Sequence, residues 1–314
     1  MNYTYFYKYC YSNIEELSSL PNYDLFISSY VNSERVLGPA GVVPAEKKIW
    51  FVTESDNLDL YLAGKEIVLV KANEDNDPIL NKLRELQITR ERVCIDATGF
   101  KIPYLMYLIR CMGIFTKKFD IIYTEPTKYR CASNTQFSDQ FYEVKQINGM
   151  AGLHTSKNEK DLLIIAAGYD HSRIVDVANK KRDCKKVLLF GFPSISPSMF
   201  QENILRVYEA EASIGTECFR NMDYNIYAPA YDPFVTAQTI SEYINRHSVQ
   251  VPFTNIYLAP LSTKPHAIGM ALYFLWEQML NHQNISLIYP YCQQYIVDNS
   301  DGIARIWRYK IELP

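Results

Sequence analysis

The sequence lacks the short motifs that mark the common nucleotide-dependent and hydrolytic enzymes. It contains no G-x-G-x-x-G fingerprint and no glycine-rich Walker loop, which disfavours dinucleotide cofactors and P-loop NTP hydrolysis. It also contains no G-x-S-x-G turn, the elbow that carries the nucleophile of α/β-hydrolases. The sequence therefore gives no reason to expect a cofactor.

An excess of basic residues and a long apolar run are also absent. The chain has 32 Lys and Arg against 35 Asp and Glu, a net charge of −3, so duplex nucleic acid is not an expected partner. No apolar stretch is long enough to span a bilayer, and the tyrosine-rich start does not have the pattern of a signal peptide. We therefore expect a cytoplasmic protein with no membrane partner.

Cysteine and histidine occur without the spacings that disulfide frameworks and metal sites require. The seven cysteines are scattered along the chain and include no C-x-x-C pair, which favours reduced thiols. No two of the five histidines are separated by a short metal-ligand spacing. The sequence therefore predicts no metal site.

What the sequence does contain is a series of short apolar runs, each ending in polar residues. The clearest begins at residues 93–96, continues through Ala-Thr-Gly, and is followed by apolar residues at helical spacing. Pro103 suits the first turn of that helix, where a missing N–H costs nothing. The next apolar run, residues 121–123, ends in Thr124, Glu125 and Pro126. Strand, turn, helix and strand in this order are typical of a parallel α/β sheet.

Similar runs recur along the whole chain. Strands are predicted at residues 24–30, 48–52, 66–70, 161–168, 186–190, 224–228, 256–259 and 285–289. Asp77-Pro78 and Asp232-Pro233 each predict a helix start, with Asp as the N-cap and Pro at the first helical position. The predicted fold class is α/β, with mostly parallel sheets built of Rossmann-like strand–turn–helix units.

The order of these units suggests two tandem repeats, residues 1–150 and 151–314, joined by a polar link at residues 141–160. The residues from Asp24 to Arg35 match those from Asp161 to Arg173, and each copy continues into a pair of lysines before its next strand. A single doubly wound sheet would give the same local elements and is the alternative. Residues 303–312 are predicted to close the second sheet as an antiparallel edge strand.

Polar residues follow the predicted strands at the end where parallel α/β sheets bind their ligands. In the first half they are Asp96, Thr98, Lys101, Thr124 and Glu125, and in the second half Ser172, Arg173, Ser262, Thr263 and Lys264. The helices that follow present free N–H groups and positive dipole ends, so a phosphorylated ligand is predicted. The alternative is that these hydroxyl and carboxyl groups only cap helices.

Two histidines lie beside these candidates. His171 stands between Asp170 and Ser172, and we expect it in a solvated turn because adjacent residues rarely point together. His266 falls in the first turn of a predicted helix, where it would either contact a ligand or begin a surface helix.

The run from Asp96 to Pro103, Asp-Ala-Thr-Gly-Phe-Lys-Ile-Pro, resembles the Asp-x-Thr-His-Gly signature of the CRISPR-associated Rossmann-fold (CARF) sensor proteins. As in that family, it lies between a strand end and a helix. The resemblance implies that Asp96, Thr98, Gly99 and Lys101 line a site for a cyclic oligoadenylate, in a dimer that acts in antiviral defence. The RNase domain often attached in the family carries an Arg-x(4–6)-His motif. No Arg precedes any of the five histidines at this spacing, so an effector is expected on a separate chain.

Three functions are consistent with these observations. The first is a nucleotide-binding sensor or regulatory protein, in which the strand-end residues hold phosphate and ribose. The second is an enzyme that hydrolyses a nucleotide or nucleoside in the same crevice, with Asp96 or Glu125 as general base and Lys264 stabilising the developing charge. The third is a partner subunit whose effector lies on another chain. The absence of a recognisable catalytic motif favours the first and the third, and the carboxylates at the strand ends favour the second.

Overall fold

The computed structural model describes residues 3, 7–53, 62, 64–70, 77–86, 92–129, 141–249, 252–279, 284–292 and 300–314. The strands in this part of the chain are β1 (Lys8–Tyr11), β2 (Tyr23–Ser29), β3 (Ala45–Thr53), β4 (Glu66–Val70), β5 (Val93–Asp96), β6 (Lys118–Glu125), β7 (Lys128–Tyr129), β8 (Phe141–Gln146), β9 (Leu162–Ala166), β10 (Lys185–Gly191), β11 (Asn225–Ala228), β12 (Ile256–Pro260), β13 (Ile285–Cys292), β14 (Ser300–Asp301) and β15 (Arg305–Glu312).

The α-helices of the described residues connect these strands. They are α1 (Glu34–Val42), α2 (Asp77–Glu85), α3 (Ile102–Phe115), α4 (His171–Lys180), α5 (Met199–Glu209), α6 (Glu211–Ile214), α7 (Glu217–Arg220), α8 (Pro233–Ser248) and α9 (Lys264–Met279). The predicted start of α8 is confirmed, because the Asp232 side chain accepts hydrogen bonds from the N–H groups of Phe234 (3.0 Å) and Val235 (3.1 Å). None of the described helices is long and apolar enough to cross a membrane.

The chain divides into two compact units. The first unit comprises Phe6–Arg130 and Val297–Pro314, and the second comprises Met1–Tyr5 and Cys131–Ile296. These are not the contiguous halves 1–150 and 151–314 expected from the sequence. The difference arises because β15, at the end of the chain, pairs with β6, and because β8 pairs with β13.

The first unit contains a seven-stranded sheet in the order β1-β15-β6-β5-β2-β3-β4. Neighbouring strands from β6 to β4 are parallel, whereas β15 is antiparallel to both β6 and β1. If the five parallel strands are numbered along the chain, their order across the sheet is 3-2-1-4-5. The order therefore reverses between β2 and β5.

The second unit contains a six-stranded sheet in the order β11-β10-β9-β12-β13-β8. Strands β9 to β13 are parallel, and β8 adds an antiparallel strand beside β13. Numbered along the chain, these parallel strands also lie in the order 3-2-1-4-5. Here the order reverses between β9 and β12.

Four of the parallel strands are buried along their whole length, which is typical of parallel sheets covered on both faces. Every residue of β5, β9, β12 and β13 is buried. Helix α3 has eight buried residues among fourteen, so most of its circumference is buried. The predicted α/β class with mostly parallel sheets is thus confirmed.

The prediction for the last strand is wrong in one respect. β15 is antiparallel, as expected, but it lies inside the first sheet between β6 and β1 rather than at the edge of the second. Its side chains Ile306, Tyr309 and Ile311 are buried in the first unit. Alternating apolar residues identify a strand, but they do not specify which sheet accepts it.

Candidate ligand-binding edges of the two sheets

Asp96 ends β5 at the reversal point of the first sheet, and its carboxylate is fully buried. One carboxylate oxygen accepts the N–H of Thr98 at 2.9 Å, and the other accepts the hydroxyl of Ser28, in neighbouring β2, at 3.1 Å. The Asp96 carboxylate therefore connects the turn after β5 to the adjacent strand β2 by hydrogen bonds.

Thr98 extends this contact to β6. Its Oγ1 accepts the N–H of Thr124 at 3.0 Å, and the carbonyl of Thr124 accepts two bonds from Arg35, from Nε at 3.1 Å and Nη2 at 2.6 Å. The third nitrogen of Arg35 donates to the Ser300 hydroxyl. The predicted residues Asp96, Thr98 and Thr124 are thus brought together with Arg35, which was not predicted as a site residue although its segment was matched to that of the candidate Arg173.

Glu125 follows Thr124 and is fully buried against β15. Its carboxylate accepts hydrogen bonds from Trp307 Nε1 at 2.7 Å and from Arg305 Nε at 2.9 Å. Burial raises the pKa of Glu125, and the bonds from Trp307 and Arg305 oppose that rise. Each carboxylate oxygen therefore already has a donor within the protein.

Gly99 and Lys101 complete the predicted set in the first unit. A Cβ atom on Gly99 would collide with the carbonyl oxygen of Ser29, so only glycine allows the turn after β5 to approach the end of β2. Lys101 is the N-cap residue of α3 and is partly exposed, and its carbonyl accepts the N–H of Leu105.

The second unit has a similar close approach at its own reversal point. A Cβ atom on Gly168, two residues after β9, would collide with the carbonyl oxygen of Leu261, the residue after β12. In the first unit the glycine (Gly99) follows β5, the fourth parallel strand along the chain. In the second unit the glycine (Gly168) follows β9, the first parallel strand. Both sheets therefore bring the loops after their two central strands into backbone contact.

Arg173, in the first turn of α4, points into the protein. It is 5% exposed, its Nε lies 3.4 Å from the carboxylate of Asp170, and its Nη1 donates to the hydroxyl of Tyr289 at 2.8 Å. Ser172 beside it is partly exposed. His171 pairs with Glu209 at 2.9 Å and is 37% exposed, which agrees with the solvated position expected for it.

Thr263 acts as the N-cap of α9. Its hydroxyl donates to the carbonyl of Ala230 at 2.6 Å and lies 3.4 Å from the N–H of His266. Ser262 and Lys264 on either side are partly exposed. The helix start at which these three predicted residues lie thus follows β12, one of the two strands at the reversal point.

His266 is fully buried, so the alternative of a surface helix start is wrong. Its Nε2 lies 3.2 Å and 3.4 Å from the carbonyl oxygens of Pro229 and Ala228. Because a carbonyl can only accept, Nε2 carries the ring proton. Burial lowers the pKa of His266 to about 4, so the ring is neutral near pH 7.

Asn203 in α5 is a further buried polar residue at this edge. Its Nδ2 donates to the carbonyl of Ala167, immediately after β9, at 2.7 Å. Nothing in the sequence distinguishes Asn203 from a surface asparagine. Among the described residues, no group of three or more His, Cys, Asp and Glu side chains is placed to hold a metal ion.

Comparison with known proteins gives no further assignment. No protein-family model matches the sequence, and no curated protein matches it.

Proposed function

We propose that the chain is a nucleotide-binding sensor or regulatory protein that holds a phosphorylated ligand where its parallel strands end. The observation that carries the proposal is the reversal of strand order in both sheets, between β2 and β5 and between β9 and β12. In doubly wound sheets, ligands bind outside the carboxyl ends of the strands at such a reversal. The candidate residues 96–101 begin at the last residue of β5, and the candidate residues 262–264 begin two residues after β12.

Two features favour binding over hydrolysis. Asp96 and Glu125, the two carboxylates that could act as general base, are fully buried, and both accept hydrogen bonds from neighbouring protein groups. A general base must come within hydrogen-bonding distance of the proton that it removes. The hydrolase therefore remains the second candidate.

We also propose that both units are Rossmann-like and arose as a tandem repeat. Their parallel strands share the order 3-2-1-4-5, and each has a glycine at backbone contact distance across the reversal point. The resemblance of residues 96–103 to the CARF signature suggests a cyclic oligonucleotide as the ligand. The ligand would be bound by a homodimer, or by a chain that regulates an effector protein on a separate chain. The free thiols of Cys10, Cys94, Cys111, Cys184 and Cys218 suit a cytoplasmic location.

Thermal unfolding against a panel of mono-, di- and cyclic oligonucleotides tests the proposal. A ligand that binds only the folded state at 100 times its Kd adds about 2.7 kcal/mol to the free energy of unfolding. For units of this size, each kcal/mol raises the midpoint temperature of unfolding by about 2–4 °C. Recovery of intact ligand supports a sensor, recovery of cleaved ligand supports the hydrolase, and no shift with any nucleotide contradicts both.

Charge-removal variants locate the site. We expect Lys101→Ala or Lys264→Ala to reduce the ligand-induced shift. The matched controls are Lys118→Ala and Lys160→Ala, because these lysines lie where β6 and β9 begin, at the other edge of each sheet. Equal shifts in all four variants would contradict the assignment of phosphate to the strand ends.

A further inference from the structure

A buried hydrogen-bond network lies at the amino-terminal ends of the parallel strands of the second sheet, opposite the candidate ligand-binding residues. Ser286, the second residue of β13, is fully buried. Its Oγ accepts a hydrogen bond from Gln146 Nε2 at 3.1 Å and another from the backbone N–H of Gly152 at 2.7 Å. The loop that joins β8 to β9 is thereby attached to β13.

The hydrogen bonds fix the protonation state of His154. Its Nε2 lies 2.5 Å from Ser286 Oγ, and its Nδ1 lies 3.1 Å from Asn255 Oδ1. A hydroxyl oxygen has two lone pairs and one proton, and both lone pairs of Ser286 already accept N–H groups. Ser286 must therefore donate to Nε2, and the ring proton must be on Nδ1, where it donates to Asn255. The arrangement requires a neutral imidazole.

Asn255 connects the same ring to the rest of the loop. It is 1% exposed, and its Oδ1 also accepts the N–H of Thr155 at 3.0 Å. Its Nδ2 donates to the carbonyl of Lys157 at 3.0 Å and to the carboxylate of Asp161 at 2.8 Å. Residues 152–157 are thus held at both ends by side chains that contact His154.

We propose that His154 is an acid-sensitive latch, which holds residues 152–157 against the strand starts of the second sheet when it is neutral and releases them when it is protonated. A proton on Nε2 would direct a third N–H at Ser286 Oγ, whose two lone pairs are occupied. The Ser286 hydroxyl would lose its acceptor at the same time. One of the three contacts of Ser286 Oγ, with Gly152, His154 or Gln146, must then break, and the first two of these hold the loop.

The groups around the ring act on its pKa in both directions, and the net effect disfavours protonation. The ring of Tyr257 stacks on His154 with centroids 4.7 Å apart, and Lys181 Nζ lies 3.4 Å from the centroid of the Tyr257 ring. Burial is the main cause that lowers the pKa of His154, and the charge of Lys181 adds to it. The hydrogen bond with Asn255 and the charge of Asp161 oppose it. Cys184, whose pKa is raised to about 11, is a neutral thiol in this region.

The sign of the pH dependence follows from the lowered pKa. The released ring, with an ordinary pKa near 6.5, binds a proton more readily than the latched ring. The latch therefore has its full stability above about pH 6.5 and loses it as the pH falls below that value. At about pH 5.5, the equilibrium constant for release of residues 152–157 can be up to about tenfold larger than it is well above pH 6.5.

Hydrogen exchange of residues 152–157 tests the proposal, because the N–H groups of Gly152 and Thr155 donate into the network. After correction for intrinsic exchange, we expect protection in the full chain to fall several-fold, by up to about tenfold, between about pH 7.5 and 5.5. Unchanged protection over this range would overturn the proposal.

Two variants separate the latch from general acid sensitivity. In His154→Gln the side chain can still accept the Ser286 proton but does not titrate, so protection should no longer depend on pH. His247→Gln is the matched control, because His247 lies in α8 of the same unit and, among the described residues, hydrogen-bonds only to the carbonyl of Tyr243 in its own helix. It should retain the wild-type fall. A fall that persists in His154→Gln, or disappears in His247→Gln, contradicts the assignment.

Discussion

Gly99 and Ser29 are in backbone contact at the point where the first sheet reverses its strand order. The contact exists because Gly99 has no Cβ atom, and any side chain would collide with the Ser29 carbonyl. The same relationship joins Gly168 to Leu261 in the second unit. At such a point a doubly wound sheet binds its ligands outside the carboxyl ends of the strands. In this protein, glycine brings the backbones at the ends of the two central strands into contact at that point.

Replacement of Gly99 by alanine should destabilise the first unit. The added methyl group meets a carbonyl oxygen of the backbone, which cannot move aside as a flexible side chain can. We expect Gly99→Ala to lower the free energy of unfolding by about 1–3 kcal/mol, measured by denaturant titration. Gly41→Ala is the control, because a Cβ atom there meets nothing within 4 Å and Gly41 lies in α1. It should be neutral or stabilise by up to about 1 kcal/mol. Equal losses for both would rule out the contact as the cause.

The bond from Trp307 to Glu125 should become more important as the pH rises. Burial raises the pKa of Glu125 above 4.5, so Glu125 favours the folded state most below that pH and less as the pH rises through its raised pKa. Trp307→Phe removes a hydrogen-bond donor that lowers the pKa of Glu125. We expect a loss of about 1.5–3 kcal/mol near pH 7 and a smaller loss near pH 4, measured by denaturant unfolding.

A double-mutant cycle checks the cause of that loss. In a Glu125→Gln background the side chain is uncharged, so Trp307→Phe should cost less and its cost should no longer change with pH. A pH-dependent loss that survives in this background would show that Trp307 acts through a group other than Glu125.

Arg173 should be a major contributor to the stability of the second unit. It is the cation beside the buried carboxylate of Asp170, and both side chains are less than 10% exposed. Arg173→Met leaves that carboxylate without the cation, which we expect to cost about 3–5 kcal/mol of unfolding free energy. Arg206→Met is the comparison, because Arg206 pairs with a carboxylate that is 43% exposed. It should cost at most about 1 kcal/mol. Similar losses would argue against a buried ion pair.

Thiol labelling should distinguish one of the six described cysteines. Cys10 is exposed, whereas Cys94, Cys111, Cys184, Cys218 and Cys292 are buried. Burial raises the pKa of Cys111, Cys184 and Cys218 to about 11, so these thiols are protonated as well as inaccessible. Iodoacetamide followed by peptide mapping should modify Cys10 first among the six, and all six should react in denaturant. Rapid modification of a buried thiol in the native protein would contradict the described packing.

Several local features could be predicted because they depend on residues close together in sequence. The unit from β5 through α3 to β6 follows from an apolar run, a turn and a proline at the first helical turn, and its bounds agree with the prediction to within a few residues. The Asp232 cap of α8 could be predicted for the same reason. The polar residues at the strand ends were also predicted, because they directly follow apolar runs.

The environments of the candidate residues could not be predicted in the same way. Arg173 and His266 resemble solvent-facing residues at helix starts, yet both are buried. Their partners, Tyr289 for one and the carbonyls of Ala228 and Pro229 for the other, are 116, 38 and 37 residues away in sequence. Whether a polar side chain faces solvent or the interior depends on which elements cover it, and no local pattern specifies that.

The sequence by itself determined the α/β class, most strands and the helix starts, because apolar periodicity and capping act over a few residues. Only the tertiary structure decided the strand order, the place of β15 in the first sheet and the pairing of His154 with Ser286, 132 residues apart. The physical reason is that backbone hydrogen bonds between strands are the same for every sequence. The choice of partner therefore depends on how the whole set of apolar faces can be buried together.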